Sequence, residues 1–428
     1  VVSQPRVAVI GSGVSGLTAA YLLSGRNTVV LFEAEDRLGG HAHTHHLSAE
    51  DGRDVAVDSG FVVHNPRNYP RLCRLFDQLG VTTRDTEMSL SVSCRECGLE
   101  YAGARKLRGL FPGGANLNNV RYLRLLTQVR RFHRQASRLL DHPRNGEDTT
   151  FGQFLESGGY TEYFVRHFAL PLVSAVWSVD PALGAHYPAR YLFEFLRNHG
   201  MLSVGGSPEW RTVVGGSHEY VRRIAERLSV INRRTPVRAV EPHADGVDIR
   251  DHTGRTHSVD RVVVATHADQ ALRLLAAPTE RQRRVLGAFR YSENEAVLHT
   301  DTSPLPRRSG ARASWNYLKE TCAEQTMGAR ISYDMNRLMR LAEPENYVVT
   351  LNAADQIHPD RVVRRMRYRH PVYTPESVAA QRQLPELGDA RLRFAGAYHG
   401  WGFHEDGCLS GMRAAMALGV GGESRVPL

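Results

Sequence analysis

Arg6-Val7-Ala8-Val9-Ile10 runs directly into Gly11-Ser12-Gly13-Val14-Ser15-Gly16-Leu17, and a second apolar run, Val29-Val30-Leu31-Phe32, ends at Glu33. A strand that must turn at once into a helix needs a glycine at position 11. Gly13 lets the backbone approach a pyrophosphate, and Gly16 lets the helix pack closely on the sheet. At the start of that helix, around Ser15, unpaired N–H groups and the positive end of the dipole favour an anion. Glu33, with Ala34 after it, stands twenty-two residues past Gly11, a spacing that suits hydrogen bonds from a ribose diol. A glycine cluster alone often marks only a tight turn. Here the strand, the helical pattern of Leu17, Ala20, Tyr21 and Leu22, the second strand and the acid follow in the order of a dinucleotide-binding unit.

Arg37-Leu38-Gly39-Gly40 extends the phosphate cradle beyond what a plain nicotinamide site needs, which favours FAD over NAD. No second glycine fingerprint follows another strand, so no dedicated NADPH domain is expected. A bound flavin would then be reoxidised by oxygen, a quinone or a carrier, or the reaction would be redox-neutral.

The chain has 428 residues, enough for two domains or an interleaved pair, and its 42% hydrophobic and 23% charged content is that of a globular enzyme. No apolar stretch approaches the length of a membrane span and no secretory signal is visible, so a cytoplasmic protein is expected. The net charge of +9 comes almost wholly from arginine, since Lys106 and Lys319 are the only lysines. That charge attracts anions, but no basic-aromatic module accompanies it, and nucleic-acid binding is rejected. The five cysteines, Cys73, Cys94, Cys97, Cys322 and Cys408, are odd in number and scattered, which predicts reduced thiols. Cys94-Arg95-Glu96-Cys97 has the spacing of half a zinc site, but no second Cys pair or close His pair completes it. Two thiols on a hairpin, and no metal, are predicted.

Along the chain, residues 1–86 read as the first piece of a cofactor domain. Residues 87–210 differ in character and carry helical patterns around Asn118 to Leu140, Thr150 to Ser157 and Ala189 to His199. Residues 211–287 return to the cofactor domain, with Val213-Val214-Gly215-Gly216-Ser217, a short strand at Val237-Arg238-Ala239-Val240 and a buried strand from Asp260 into Ala265. Residues 288–387 form a second insertion. Residues 388–428 close the cofactor domain with the strand Leu392-Arg393-Phe394-Ala395-Gly396, a glycine-studded loop and a helix from near Ser410.

In this order the motifs resemble the FAD-dependent oxidoreductases of the amine oxidase and phytoene desaturase superfamily, over nearly the whole chain. More specific stretches are similar to a bacterial branch of NAD/FAD-binding oxidoreductases: Asp58-Ser59-Gly60-Phe61-Val62-Val63-His64-Asn65, Asn198-His199-Gly200-Met201-Leu202-Ser203, Ser332-Tyr333-Asp334-Met335-Asn336 and Gly400-Trp401-Gly402-Phe403-His404-Glu405-Asp406-Gly407. The resemblance implies an α/β fold. Its parts are a Rossmann-type, glutathione-reductase-like FAD domain and an interleaved mixed-sheet and helical substrate domain. It also implies that Gly60, Phe61, Val237, Ala265, Gly396, Glu405, Asp406, Gly407 and Cys408 line the cofactor. Members of that branch look like partners of cyclopropane-synthase-type methyltransferases, which implies a lipid acyl substrate and a fatty-acid methyltransferase partner.

There are departures. His41 stands where many amine oxidases have arginine, so it joins the cofactor contacts in a different way, and Ala397 stands where an acid usually holds the ribityl chain. Neither lysine matches the one that holds a water near the flavin in those oxidases. Simple amine oxidation is thereby weakened, leaving amine oxidation and a redox-neutral isomerisation as alternatives to acyl oxidation or desaturation.

His404 is the expected acid or base, because an imidazole titrates near working pH; a structural role in its loop is the competing reading. His199 and Tyr333 are further catalytic candidates. Glu405 and Asp406 could equally cap a helix. Trp177, Trp210 and Trp315 are candidates to line the substrate cavity, with ordinary core packing as the alternative. The helix from Asn118 to Asp141 sets Tyr122, Leu125, Leu126, Val129, Phe132, Ala136 and Leu139 among six arginines, a pattern for peripheral membrane contact or for a packed helix with solvated arginines.

Overall fold

In a computed structural model of the chain, residues 4–49, 51–103, 106–114, 116–142, 149–203, 206–323 and 328–419 are described. The chain divides into two compact units: residues 1–83, 213–290 and 376–428 form the first, and 84–212 with 291–375 the second.

The first unit is built on a five-stranded parallel sheet in the order Val230–Asn232, Thr28–Phe32, Arg6–Ile10, Arg261–Val264, Leu392–Phe394. The opening strand sits at its centre, with Val7 opposite both Val29 and Arg261. Its last four residues are all buried, as expected for a parallel strand covered on both faces. The unit also holds a three-stranded antiparallel sheet (Val237–Pro242, Val247–Asp251, Thr256–Val259) and the hairpin Thr44–Ser48 with Asp54–Asp58. The helix Pro70–Leu79 starts on a proline that has no N–H to waste and ends at Gly80, whose φ of 70° suits the left-handed cap.

The last helix departs from expectation. It spans His404–Ala417 and so begins six residues before Ser410, inside the stretch read as loop. Asp406 caps its start by accepting from the Phe403 N–H at 2.9 Å. Gly407 and Gly411 are packing positions: an added Cβ would lie 2.5 Å from Val14 Cγ1 at the first, and 2.2 Å from Ser15 O at the second. The glycines that looked like loop markers let this closing helix lie against Val14–Leu23.

The second unit holds a seven-stranded mixed sheet in the order Val362–Val372, Arg290–His299, Val348–Leu351, Ile331–Asp334, Trp315–Lys319, Leu90–Cys94, Glu100–Ala102. Trp315–Lys319 runs parallel to Leu90–Cys94, which turns back through residues 95–99 into Glu100–Ala102. Beside it lie the helices Val120–Asp141, Phe151–Ser157, Leu170–Trp177 and Ala189–Asn198. Phe132, fully buried, meets Phe151, Phe154 and Phe193 edge-on at 6.2, 5.9 and 5.5 Å. These are favourable T-shaped contacts that fix the helical core. The apolar face of Val120–Asp141 is used in that core through Tyr122, Leu125, Phe132, Ala136 and Leu140.

The second insertion was expected to run to residue 387, but the unit ends at 375. The helix Pro375–Gln381 is drawn into the first unit, where Gln381 Nε2 donates to Tyr398 O at 3.0 Å and Gly400 O at 2.6 Å. Among the described residues, no helix is long and apolar enough to cross a membrane.

Candidate functional site

The glycines of the opening turn are of two kinds. A Cβ at Gly11 would lie 2.9 Å from Ala265 O, and one at Gly16 would lie 1.9 Å from Gly11 O, so the protein's own packing demands both. Gly11 also has a φ of 97°, which disfavours other residues. Gly13 differs: its Cβ would meet no protein atom within 4 Å. Gly13 also begins the helix Val14–Leu23, with no side-chain cap and no acid in the first turn. Both the room and the positive helix end are left to a group from outside the chain, and a dinucleotide pyrophosphate fits that requirement.

The surrounding residues close into a ring of contacts. Gly39 N donates to Ser12 O at 3.0 Å, and a Cβ at Gly40 would come within 3.0 Å of Gly13 Cα. Arg37 shapes that turn by donating to Gly40 O at 2.7 Å and pairing with Glu35 at 3.1 Å. Glu33 accepts from Ser12 N and Oγ through Oε2 at 3.0 and 2.5 Å, and from Glu35 N through Oε1 at 2.9 Å. With one donor, Oε1 keeps acceptor capacity for a diol. Thr235 N donates to Glu33 O at 2.8 Å, just before the strand that Val237 opens. His41 O receives the Phe61 N–H at 2.8 Å, and a Cβ at Gly60 would strike that same carbonyl at 2.0 Å. Phe61 stacks on His404 with ring centroids 3.8 Å apart. Gly396 N donates to Ser410 Oγ at 2.9 Å, and Cys408 is fully buried in the closing helix. The expected cofactor residues of three separate chain segments thus meet in the first unit.

His404 is not the titrating group expected. Burial first, and then the neighbouring His41 and His64, hold its pKa well below the ordinary value, so the ring is neutral at working pH. Its Nε2 and the Tyr220 hydroxyl are both buried without a partner among the described residues, and the two rings lie 6.4 Å apart. Two orphaned polar tips beside one stacked pair are the mark of a site that receives a ligand. The two acids beside His404 are already engaged. Glu405 accepts from Arg71 N, Leu72 N and the Arg71 guanidinium at 3.2, 3.0 and 3.2 Å, which caps the helix Pro70–Leu79. Asp406 caps its own helix, and burial pushes its pKa up to about 7.

Asp58 is a residue the reading of the sequence named only within a motif. It is buried, accepts from Thr44 Oγ1 at 2.5 Å and from Ser217 N and Oγ at 2.9 and 2.8 Å, and is raised to about 6 by burial. It fastens the strand Asp54–Asp58 to the helix His218–Ala225, and an acid at the end of the apolar run Val55-Ala56-Val57 was its only signal.

His199 and Tyr333 lie in the second unit. His199 is buried, stacks on Phe195 at 3.9 Å and shares a hydrogen bond with Phe195 O through Nδ1 at 2.9 Å. Tyr333 packs edge-on against Trp315 at 5.5 Å, and burial raises its hydroxyl to about 12, so it stays protonated. Asp334 caps the helix Met335–Met339 by accepting from Arg337 N at 3.1 Å. Trp177 and Trp210 are buried.

The view of Cys94 and Cys97 as two thiols on a bare hairpin is corrected by the fold. His167 and Cys322 join them, and the four ligand atoms all lie within 4.8 Å of one another. The partners come from distant segments, so no local Cys or His spacing announces them.

Comparison with known proteins identifies the family. Residues 14–419 match the family described as flavin containing amine oxidoreductase. Flavin-containing amine oxidase A of Sus scrofa is 27% identical over 271 residues, covering 60% of this chain and 49% of that protein. The chain spans about half the length, or less, of the first curated relatives it matches. A putrescine oxidase double mutant shares the fold with a TM-score of 0.69 at 16% identity, covering 97% of this chain and 99% of that one. A CLA-producing fatty acid isomerase from P. acnes does so with a TM-score of 0.66 at 15% identity, covering 95% and 97%. The chain belongs to the flavin-containing amine oxidoreductases, a family of FAD-dependent oxidoreductases.

Proposed function

We propose that this flavoenzyme oxidises or desaturates an unsaturated or methyl-branched lipid acyl chain. One observation carries the reading. The polar groups around the Phe61–His404 stack are neutral imidazole and phenol, and the adjacent acids Glu405 and Asp406 are committed to capping helices. A protonated amine finds no free counter-charge in that set, whereas an uncharged carbon chain needs none. The branch-specific motifs at Asp58 to Asn65 and Gly400 to Gly407 support the same class.

FAD supplies the hydride acceptor. The protein's part is to place a carbon and exclude water. Neutral His404 acts as a hydrogen-bond donor or acceptor through Nε2 and does not serve as an imidazolium acid. His404→Leu is expected to keep FAD and to slow its reduction by substrate about tenfold, the worth of one hydrogen bond of about 1 to 1.5 kcal/mol. Equal single-turnover rates would return His404 to packing alone.

The direct test is anaerobic mixing with phospholipids bearing unsaturated or methyl-branched chains. Bleaching of the flavin is expected. An unchanged spectrum with every lipid, together with bleaching and peroxide release on an amine panel, would establish the amine oxidation that the curated relatives' names favour. A product of unchanged mass carrying solvent deuterium would instead indicate isomerisation, chemistry for which the fold has a precedent in the fatty acid isomerase.

A lipid substrate requires access to bilayers. Leu107 and Val120, 73% and 76% exposed, lie with Leu117 and Leu123 around the start of the helix Val120–Asp141, beside Arg121 and Arg124. We assign peripheral contact with anionic membranes to this patch. Co-sedimentation with phosphatidylglycerol vesicles that is lost in Leu107→Glu with Val120→Glu is expected; equal sedimentation would refute it. A fatty-acid methyltransferase is the partner proposed on the same reading.

A further inference from the structure

We infer that Cys94, Cys97, His167 and Cys322 form a closed tetrahedral zinc site in the second unit, separate from the flavin chemistry. Their ligand atoms all lie within 4.8 Å of one another, with Cys94 Sγ 3.7 Å from Cys322 Sγ and Cys97 Sγ 3.8 Å from His167 Nε2. Zinc–sulfur bonds of about 2.3 Å require tetrahedral sulfur–sulfur edges of roughly 3.8 Å, and the Cys94–Cys322 pair already stands at 3.7 Å. A disulfide, in contrast, needs sulfurs about 2.05 Å apart, and it would leave Cys97 and His167 unexplained.

The surroundings are those of a built site. Cys94 ends the strand Leu90–Cys94, and the turn that follows directs the Cys97 N–H at the Cys94 sulfur and the Leu99 N–H at the Cys97 sulfur. Gly98, with φ of 67°, makes that knuckle possible. Backbone bonds from Arg95 N to Lys319 O at 2.9 Å and from Glu96 N to Glu320 O at 3.1 Å fasten it to the neighbouring segment. Glu96 Oε2 then accepts from Cys322 N at 2.7 Å. The thiol of Cys322 is thereby presented from the far side of the turn.

His167 is held independently. It is buried within the single π-helical turn Val165–Ala169, a distortion that recurs at functional positions. Its Nδ1 is 3.0 Å from Tyr163 O, the Tyr163 ring stacks on it at 4.2 Å, and Tyr101 Oη donates to its carbonyl at 2.7 Å. An Nδ1–H given to a carbonyl leaves Nε2 with its lone pair aimed at the sulfurs, the outer-shell arrangement of metal-bound histidines.

Three thiolates and one imidazole select zinc over hard cations, and four protein ligands leave no position open for catalysis. The site is therefore structural. It ties the knuckle to residues 70 and 228 positions away in the chain and so joins the helical part of the unit to its sheet.

The test is metal analysis of untagged holoprotein from zinc-supplemented cells, with flavin content measured on the same sample. About one zinc per chain is expected, as a four-ligand site requires. In His167→Ala and Cys97→Ser the zinc content falls at least tenfold while the FAD content is retained. Growth on cobalt should yield protein with the intense visible bands of tetrahedral thiolate-bound Co2+, which a merely packed cluster would not give. Wild-type protein with no stoichiometric metal, with iron in place of zinc, or with a Cys94–Cys322 disulfide in its peptide map would overturn the assignment.

Discussion

The glycine cradle of the first unit and the cysteine–histidine cluster of the second are assembled in opposite ways. The cradle's core is contiguous: Gly11, Gly13, Gly16, Glu33, Gly39 and Gly40 fall within thirty residues, and their roles follow from backbone sterics. The cluster draws on positions 94, 97, 167 and 322, and only the first pair has a readable spacing. Sites made by a turn announce themselves in order along the chain, whereas sites made by packing do so only once the chain has folded.

The sharpest break in the comparison would come from the closing helix. A side chain at Gly411 strikes backbone, Ser15 O at 2.2 Å, so Gly411→Val is expected to yield insoluble or colourless protein. Soluble yellow protein at wild-type yield would show that the two helices do not need this close approach. In the second unit the corresponding lever is a side chain. Phe132→Ala leaves a cavity among Phe151, Phe154 and Phe193 and should cost about 3 to 5 kcal/mol in chemical denaturation. A loss under 1 kcal/mol would mean that the helical core does not turn on this ring.

The first unit also carries two buried acids whose protons bear on its stability. Burial raises Asp58 to about 6 and Asp406 to about 7, both from 3.8. The folded state therefore binds these protons more tightly than the unfolded chain. The stability they contribute is complete below about pH 4 and is lost as pH rises through 6 to 7. Asp406→Asn should gain thermal stability relative to wild type as pH rises from 5 to 8. Parallel melting profiles for the two proteins would contradict the raised value.

Much of the first unit was legible because its central strands Arg6–Ile10, Thr28–Phe32 and Arg261–Val264 are short, mostly buried apolar runs and the turn after the first of them needs a glycine. The start of the last helix was not. Glycines at 407 and 411 that serve helix packing look the same in a sequence as glycines that break a helix. His404 was picked out as a candidate, but its lowered pKa comes from burial first and then from the neighbouring His41 and His64, which no local pattern records. Asp334 and Glu405 show the converse: acids beside candidate chemistry turn out to cap helices. The end of the second insertion shifted because Gln381, a residue without a motif, bonds to Tyr398 and Gly400.

The central claim is that a pyrophosphate lies against Gly13 at the start of the first helix. Gly25, just beyond the other end of that helix, offers a matched control, because a Cβ there also meets no protein atom within 4 Å. The decisive measurement is the flavin-to-protein absorbance ratio of purified, folded Gly13→Val and Gly25→Val. The account predicts colourless protein for the first and wild-type FAD content for the second; stoichiometric FAD in Gly13→Val would contradict it.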